Sequence, residues 1–300
     1  MNHDVRCFDV DGTAGLDVDE KAARIEASLG LVLGTQAGES TWCFCNGRLA
    51  PGEFAYVFPC MSIVVAEDRH GASRHGYRIG GIVWDAAEDL ARWMCSTEAE
   101  ATVRRPWASF DSALELGAGI GLVAVMLGLL GLPNVLATDG DASLCELASA
   151  NAARNGLAEQ VRGTQLRWGC DGDLDATLQG LGGRCSPLVV AAEVLYAQEN
   201  TPHSADALEQ TLRSLIGRGG CRLVVLCWRV RYGNEESFLP RLSDLGTVRT
   251  VWRSEDGEAP PDGKAWGSKE MDRWVERNMG TRAISVLWPE VASERGELVA

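Results

Sequence analysis

Three glycines at alternate positions, Gly117-Ala118-Gly119-Ile120-Gly121, stand between the apolar runs Ser112-Ala113-Leu114-Glu115-Leu116 and Leu122-Val123-Ala124-Val125-Met126-Leu127. The pattern reads as a strand, a glycine turn and a buried helix. Such a turn lets a ligand approach bare backbone, and the helix N-terminus behind it offers partly positive N–H groups. A second apolar stretch, Asn134-Val135-Leu136-Ala137-Thr138, ends in Asp139, eighteen residues beyond Gly121. A carboxylate at that place can accept both hydroxyls of a ribose. Strand, turn, helix, second strand and acid together predict an α/β fold that binds a nucleoside.

The spacing discriminates among nucleosides. A dinucleotide site carries G-x-G-x-x-G/A, whose third small residue lets helix and strand pack closely. Here the order is G-x-G-x-G, and Leu122 stands where that small residue belongs. No G-x-x-x-x-G-K-[ST] loop occurs, and Lys21, Lys264 and Lys269 are the only lysines. Glu115, two residues ahead of the first glycine, suits an ammonium-bearing ligand better than a pyrophosphate. These features favour S-adenosylmethionine over NAD or ATP.

Charge narrows the partners. A formal net charge of −14 and a pI near 4.8 are the opposite of the basic footprint of a nucleic-acid binder. The longest apolar run, Ile120 to Leu132, has 13 residues, short of the ~20 that a membrane span needs. Of the ten cysteines only Cys43 and Cys45 lie close together, and no C-x-x-C or paired histidine spacing marks a zinc site. His3, His70, His75 and His203 are too scattered for a metal or a triad. The expectation is a chain with no metal, no membrane segment and reduced thiols, as in the cytosol.

Beyond Ser112 the chain alternates strand and helix as a doubly wound sheet does. Strands are predicted near 112–116, 134–138, 161–167, 187–192 and 221–228, with helices near 120–131, 141–155 and 203–217. Thr247–Arg253 and Arg282–Trp288 read as a terminal antiparallel pair, with a helix near Lys269–Asn278 between them. Upstream, Phe54–Glu67 reads as one or two short strands. Gly80–Asp85 then leads into a helix through Met94, with Ala87, Leu90, Ala91 and Met94 facing a core. Residues 1 to about 28 are polar apart from a short helical stretch near Lys21–Leu29, and are expected to be mobile or loosely docked.

At this level of detail the residues match a family. The chain resembles the seven-β-strand S-adenosylmethionine-dependent methyltransferases, specifically the methyltransferase-like, family-16 group of protein lysine methyltransferases. Gly80-Gly81-Ile82-Val83-Trp84-Asp85-Ala86-Ala87 is similar to that group's G-x-x-V-W-D-A-A element, and Leu114–Leu122 to its E-L-G-x-G-x-G-L turn. Leu166-Arg167-Trp168-Gly169 resembles its L-x-W-G segment, and Ala192-Glu193-Val194-Leu195-Tyr196 stands in the place of its A-D-x-x-Y/F motif. Cys227–Tyr232 with Phe238-Leu239 resembles its fifth-strand end and following helix. The likeness covers roughly residues 53–253.

The resemblance implies a doubly wound Rossmann-like sheet of seven strands with a reversed last strand. It divides the chain into a variable, partly disordered segment 1–45, an N-terminal β/α extension 46–95, and an S-adenosylmethionine-binding domain 96–300. Trp84, Glu115, Gly117, Gly119, Gly121, Asp139, Trp168 and Ala192 are implied to hold the cofactor, and Glu193 and Tyr196 to receive the acceptor. A cytoplasmic or nuclear monomer acting on a chaperone, ATPase or translation factor is implied as well. The family's usual acid at 193 is Asp, so the added methylene leaves the acceptor open between lysine and another nucleophile such as histidine. A small-molecule methyltransferase or a non-catalytic assembly factor are the competing readings. The absence of an N-P-P-Y-type motif and of a basic stripe disfavours nucleic acid.

Overall fold

Ala113–Leu116, Leu188–Ala192 and Leu223–Arg229 are apolar at almost every position, because each is covered on both faces and is buried along nearly its whole length. In the computed structural model, which describes residues 53–58, 61–68, 79–181, 188–195, 204–231, 234–254, 257–259, 264 and 268–290, they form the centre of a seven-stranded sheet. Successive residues along them alternate between two apolar layers. Leu188 and Val190 join one, Val189 and Ala191 the other.

The described elements are, in order, β1 (Glu53–Val57), β2 (Ser62–Ala66), α1 (Asp85–Met94), α2 (Thr97–Val103), β3 (Ala113–Leu116), α3 (Leu122–Leu129), β4 (Val135–Asp139), α4 (Ala142–Arg154), β5 (Val161–Gln165) and α5 (Asp171–Gly180). There follow β6 (Leu188–Ala192), α6 (Ser204–Gly217), β7 (Leu223–Arg229), α7 (Asn234–Phe238), β8 (Gly246–Arg253), α8 (Lys269–Asn278) and β9 (Arg282–Pro289). The sheet order is β5-β4-β3-β6-β7-β9-β8. The chain winds outward one way from β3 and the other way from β6, and the last strand, β9, runs antiparallel to both its neighbours. The order therefore reverses between β3 and β6, and the crevice beyond their carboxyl ends is where open α/β sheets bind ligands.

The strands and main helices stand where the sequence predicts them, to within a residue or two at most ends. Gly156 ends α4 with φ +73°, the left-handed stop of a helix C-terminus. Two helices lacked a legible signal. α5 buries only Leu174 and Thr177, too few for an apolar stripe. α2 is started by Ser96, whose side chain accepts from the Ala99 N–H. On α1 the buried set is Ala86, Leu90, Ala91, Trp93 and Met94, while Ala87 is partly buried, packed against the same core and lining a cavity. Cys145, Cys170, Cys221 and Cys227 are free thiols, whereas Cys95 is disulfide-bonded, against the expectation of reduced thiols. The helical stretch at 21–29 and the segment 1–45 lie outside the described residues. Among the described residues no helix is long and apolar enough to cross a membrane, and no cluster of three His, Cys, Asp or Glu is arranged for a metal.

The strands read at Phe54–Glu67 are the hairpin β1–β2, paired from Glu53↔Ala66 to Val57↔Ser62. Two asparagines one turn apart, Asn151 on α4 and Asn155 at its C-cap, dock it. The Asn151 amide accepts from Ala66 N at 2.7 Å and donates to Ala66 O at 3.2 Å. Asn155 accepts from Val64 N at 2.9 Å and donates to Val64 O at 2.6 Å. Asn151 also donates to the carbonyl of Ile120 at 2.9 Å, tying the hairpin to the glycine turn. Replacing Asn151 with Ala would leave three main-chain groups without their partner, and is expected to cost about 3 kcal/mol. Urea denaturation of the variant would measure it, and a loss under about 1 kcal/mol would mean that water or a shift of the hairpin replaces these bonds.

Candidate active site at the sheet's switch point

The turn after β3 is left-handed at each of its glycines, with φ of +65° at Gly117, +53° at Gly119 and +86° at Gly121. Its neighbours leave no room for side chains. A Cβ on Gly119 would stand 2.7 Å from the carbonyl oxygen of Gly80, and one on Gly121 would stand 2.9 Å from Cβ of Ala148. Gly117 and Gly119 line the crevice, while Gly121 does not. Gly121 serves the close approach of α3 to α4.

Asp139 closes the turn from the end of β4. Its Oδ2 accepts from Gly119 N and its Oδ1 from Asp141 N, both at 3.0 Å. Each oxygen keeps a second acceptor direction, which is what two vicinal hydroxyls require. Burial holds the Asp139 carboxyl above the ordinary range, opposed by those backbone donors. Glu115, reaching out of β3, accepts from Ala124 N at 2.8 Å in the first turn of α3, so one of its oxygens is spent on the helix. Complete burial, with a smaller push from Asp139, raises it to about 8.

That shift has a sign. The unfolded chain releases the Glu115 proton near an ordinary 4.5 and the folded chain holds it to about 8, so the folded state binds the extra proton between those values. Stability is therefore expected to fall as pH rises through that window. Glu115→Gln should flatten the slope, and identical urea midpoint slopes for the two proteins between pH 5 and 8 would refute the assignment.

The crevice is a cavity of about 770 Å³. Trp84, Glu115, Asp139, Trp168, Ala192 and Glu193 all reach it with the two glycines, beside apolar walls that include Ile82, Leu144 and Leu166. The structure thus brings together every predicted site residue except Gly121 and Tyr196, and Tyr196 lies outside the described residues. Trp84 precedes α1 as its N-cap residue. The loop carrying it is held by Asp68 N, which donates to Gly81 O at 2.7 Å. Trp168 rises over Gly117, its Cζ2 3.3 Å from where a Cβ would be.

Glu193 is the residue just past β6. It takes φ +60°, a conformation that costs a non-glycine residue of order 1–3 kcal/mol and collects at functional sites. Its N–H donates to Cys227 O at 2.9 Å. Its Oε1 is 2.7 Å from Nη2 of Arg231, and its side chain is only 10% exposed. Among the described residues Oε2 is buried with no hydrogen-bond partner. Burial raises its pKa, opposed by Arg231 and then Arg229. Arg231 is in space the partner of Glu193 and a wall of the cavity. The sole hint was the pair of arginines around Val230 at a strand end. Gly80, whose carbonyl confronts Gly119, is the other site residue that pattern alone did not single out.

A family model described as lysine methyltransferase matches residues 71–245. The protein N-lysine methyltransferase METTL21A of Danio rerio is 33% identical over 192 residues, 62% of this chain and 78% of that protein. Its Mus musculus namesake is 30% identical over 176 residues, 58% of this chain and 71% of that protein. The protein-lysine N-methyltransferase EFM3 of Chaetomium thermophilum is 30% identical over 163 residues, 51% of this chain and 43% of that protein.

Proposed function

The chain belongs to the lysine methyltransferase family, and from that premise we propose that it methylates the side-chain amine of a lysine in a protein substrate, with S-adenosylmethionine as donor. One observation carries the reading: Glu193 lines the cavity, and one of its carboxylate oxygens, buried and without a hydrogen-bond partner among the described residues, is left for a donor such as an amine. The donor's own requirements fit the rest of the crevice. Asp139 has two acceptor directions left for ribose hydroxyls, Glu115 offers an acid to an ammonium, and Gly117 and Gly119 allow close approach because a Cβ at either would collide. Trp168 and Leu144 supply apolar faces for an adenine.

When bound, S-adenosylmethionine supplies a methyl carbon already activated by its sulfonium. The protein then needs no covalent nucleophile, and its task is to hold the acceptor aligned. A lysine amine is protonated at an unperturbed pKa of about 10.4, and desolvation beside Trp84 and Val194 favours the neutral form. Glu193 Oε2 accepts an N–H of the amine and so directs its lone pair.

Substrates of the chaperone, ATPase or translation-factor type, met in the cytoplasm or nucleus by a monomer, are the first to try, on the strength of the resemblance. The test is incubation of the full chain with radiolabelled donor and a methylation-depleted cell extract. A discrete protein band whose hydrolysate contains methyl-lysine is the expected result. Methyl-histidine, or label confined to small molecules, would overturn the lysine reading.

A further inference from the structure

Arg231 stands two residues past the end of β7, and its guanidinium lies 5.6 Å from the centre of the Trp84 ring. The backbone beneath it is fixed on both sides of Val230, whose N–H donates to Thr281 O at 2.9 Å and whose carbonyl accepts from Gly280 N at 2.7 Å. Arg231 and Glu193 are 23% and 10% exposed, so their contact is largely withdrawn from water. The contact is also one-sided. A guanidinium can grip both oxygens of a carboxylate in a parallel fork, the strongest tie between two strand ends. Here Arg231 engages Oε1, while Oε2, in a side chain that lines the cavity, is buried and without a hydrogen-bond partner among the described residues. A brace would use both oxygens; a binding site keeps one.

We infer that the acceptor site is the Glu193–Arg231 pair and not Glu193 alone: the guanidinium fixes one oxygen and turns the other, unspent, toward the acceptor amine. The inference rests on the lysine-methylating reading above and adds a positioning residue to it. The charges acting on Glu193 are Arg231, Arg229, Asp85 and Arg282, and the Cys227 thiol on β7 feels its charge; Glu115 and Asp139 face the same cavity from β3 and β4. Burial disfavours the charged carboxylate, and the guanidinium opposes burial most strongly. Without it the carboxyl holds its proton to higher pH, and a protonated acid is a poorer acceptor for an ammonium or amine. A fixed cation beside the acceptor also favours the neutral, nucleophilic amine.

The test uses the full chain labelled with carbon-13 at glutamate carboxyls. The Glu193 resonance is assigned by its loss in Glu193→Gln, and its pH titration is compared in wild type, Arg231→Gln and Arg231→Lys. The midpoint is expected to move to higher pH in Arg231→Gln and to return toward wild type in Arg231→Lys. n-Butylammonium, a lysine side-chain probe, should perturb that resonance in wild type, and in Arg231→Gln the perturbation should fade at pH values where the variant's carboxyl still holds its proton. An unmoved midpoint in a folded variant would overturn the inference. Should Arg231→Gln fail to fold, Arg231→Met with its thermal unfolding curve takes its place. Failure of the functional reading looks different: no methyl-lysine from wild type, with the carboxyl still titrating as a pair.

Discussion

Glu193→Gln is expected to reduce methyl transfer to protein by roughly 100- to 10,000-fold, the range associated with losing a positioned acid–base group. Donor affinity should stay within about threefold, because Asp139, Glu115 and the glycine turn are untouched. Gln preserves the shape of the side chain and its buried setting. It removes the negative charge, leaves the Arg231 cation without its counter-charge and offers the amine a weaker acceptor. The loss should therefore fall on turnover. Transfer rates with the labelled substrate band, paired with equilibrium dialysis of the donor, separate the two. A variant that turns over normally would show that Glu193 merely caps the strand end.

Gly119→Ala is the second large effect, and it strikes the donor. Its φ is +53°, a region that costs an L-residue about 1–2 kcal/mol. Its Cβ would also stand 2.7 Å from a backbone oxygen, that of Gly80. A backbone atom cannot swing aside as the end of a side chain can, so the Ile79–Gly81 turn must shift and carry Val83 and Trp84 with it. Donor affinity is expected to fall roughly 100-fold, from the lost alignment and the strain together. Gly156→Ala is the control. Gly156 has φ +73°, and a Cβ there meets nothing within 4 Å, so stability should drop while donor affinity holds. Equal affinity for the donor in wild type and Gly119→Ala would refute the geometry of the turn.

The sheet was readable because its strands are buried on both faces and so leave unbroken apolar runs between glycine turns. Gly117, Gly119 and Asp139 were readable for a related reason, since their chemistry is local: each sits at a strand end and acts through its neighbours. What was not readable depends on pairs distant in sequence. Glu193 and Arg231 meet because β6 and β7 lie parallel with Ala192 opposite Cys227, a register that no local pattern prints. The contact of Gly121 with Ala148 of α4 is likewise invisible in the sequence. α5 was missed because its acidic sequence, Asp171 to Gly180, buries too little to leave a stripe.

The asparagines of α4 grip β2 by its main chain. Val64 and Ala66 are each held through their own N–H and C=O, and the amides take no account of what those residues carry. The joint is therefore indifferent to sequence at positions 64 and 66 while remaining strict about register. Related chains could exchange side chains at these positions for others that suit a new partner, and the hairpin would still seat against the glycine turn in the same place. Proline is the exception, since it lacks the N–H that each amide receives.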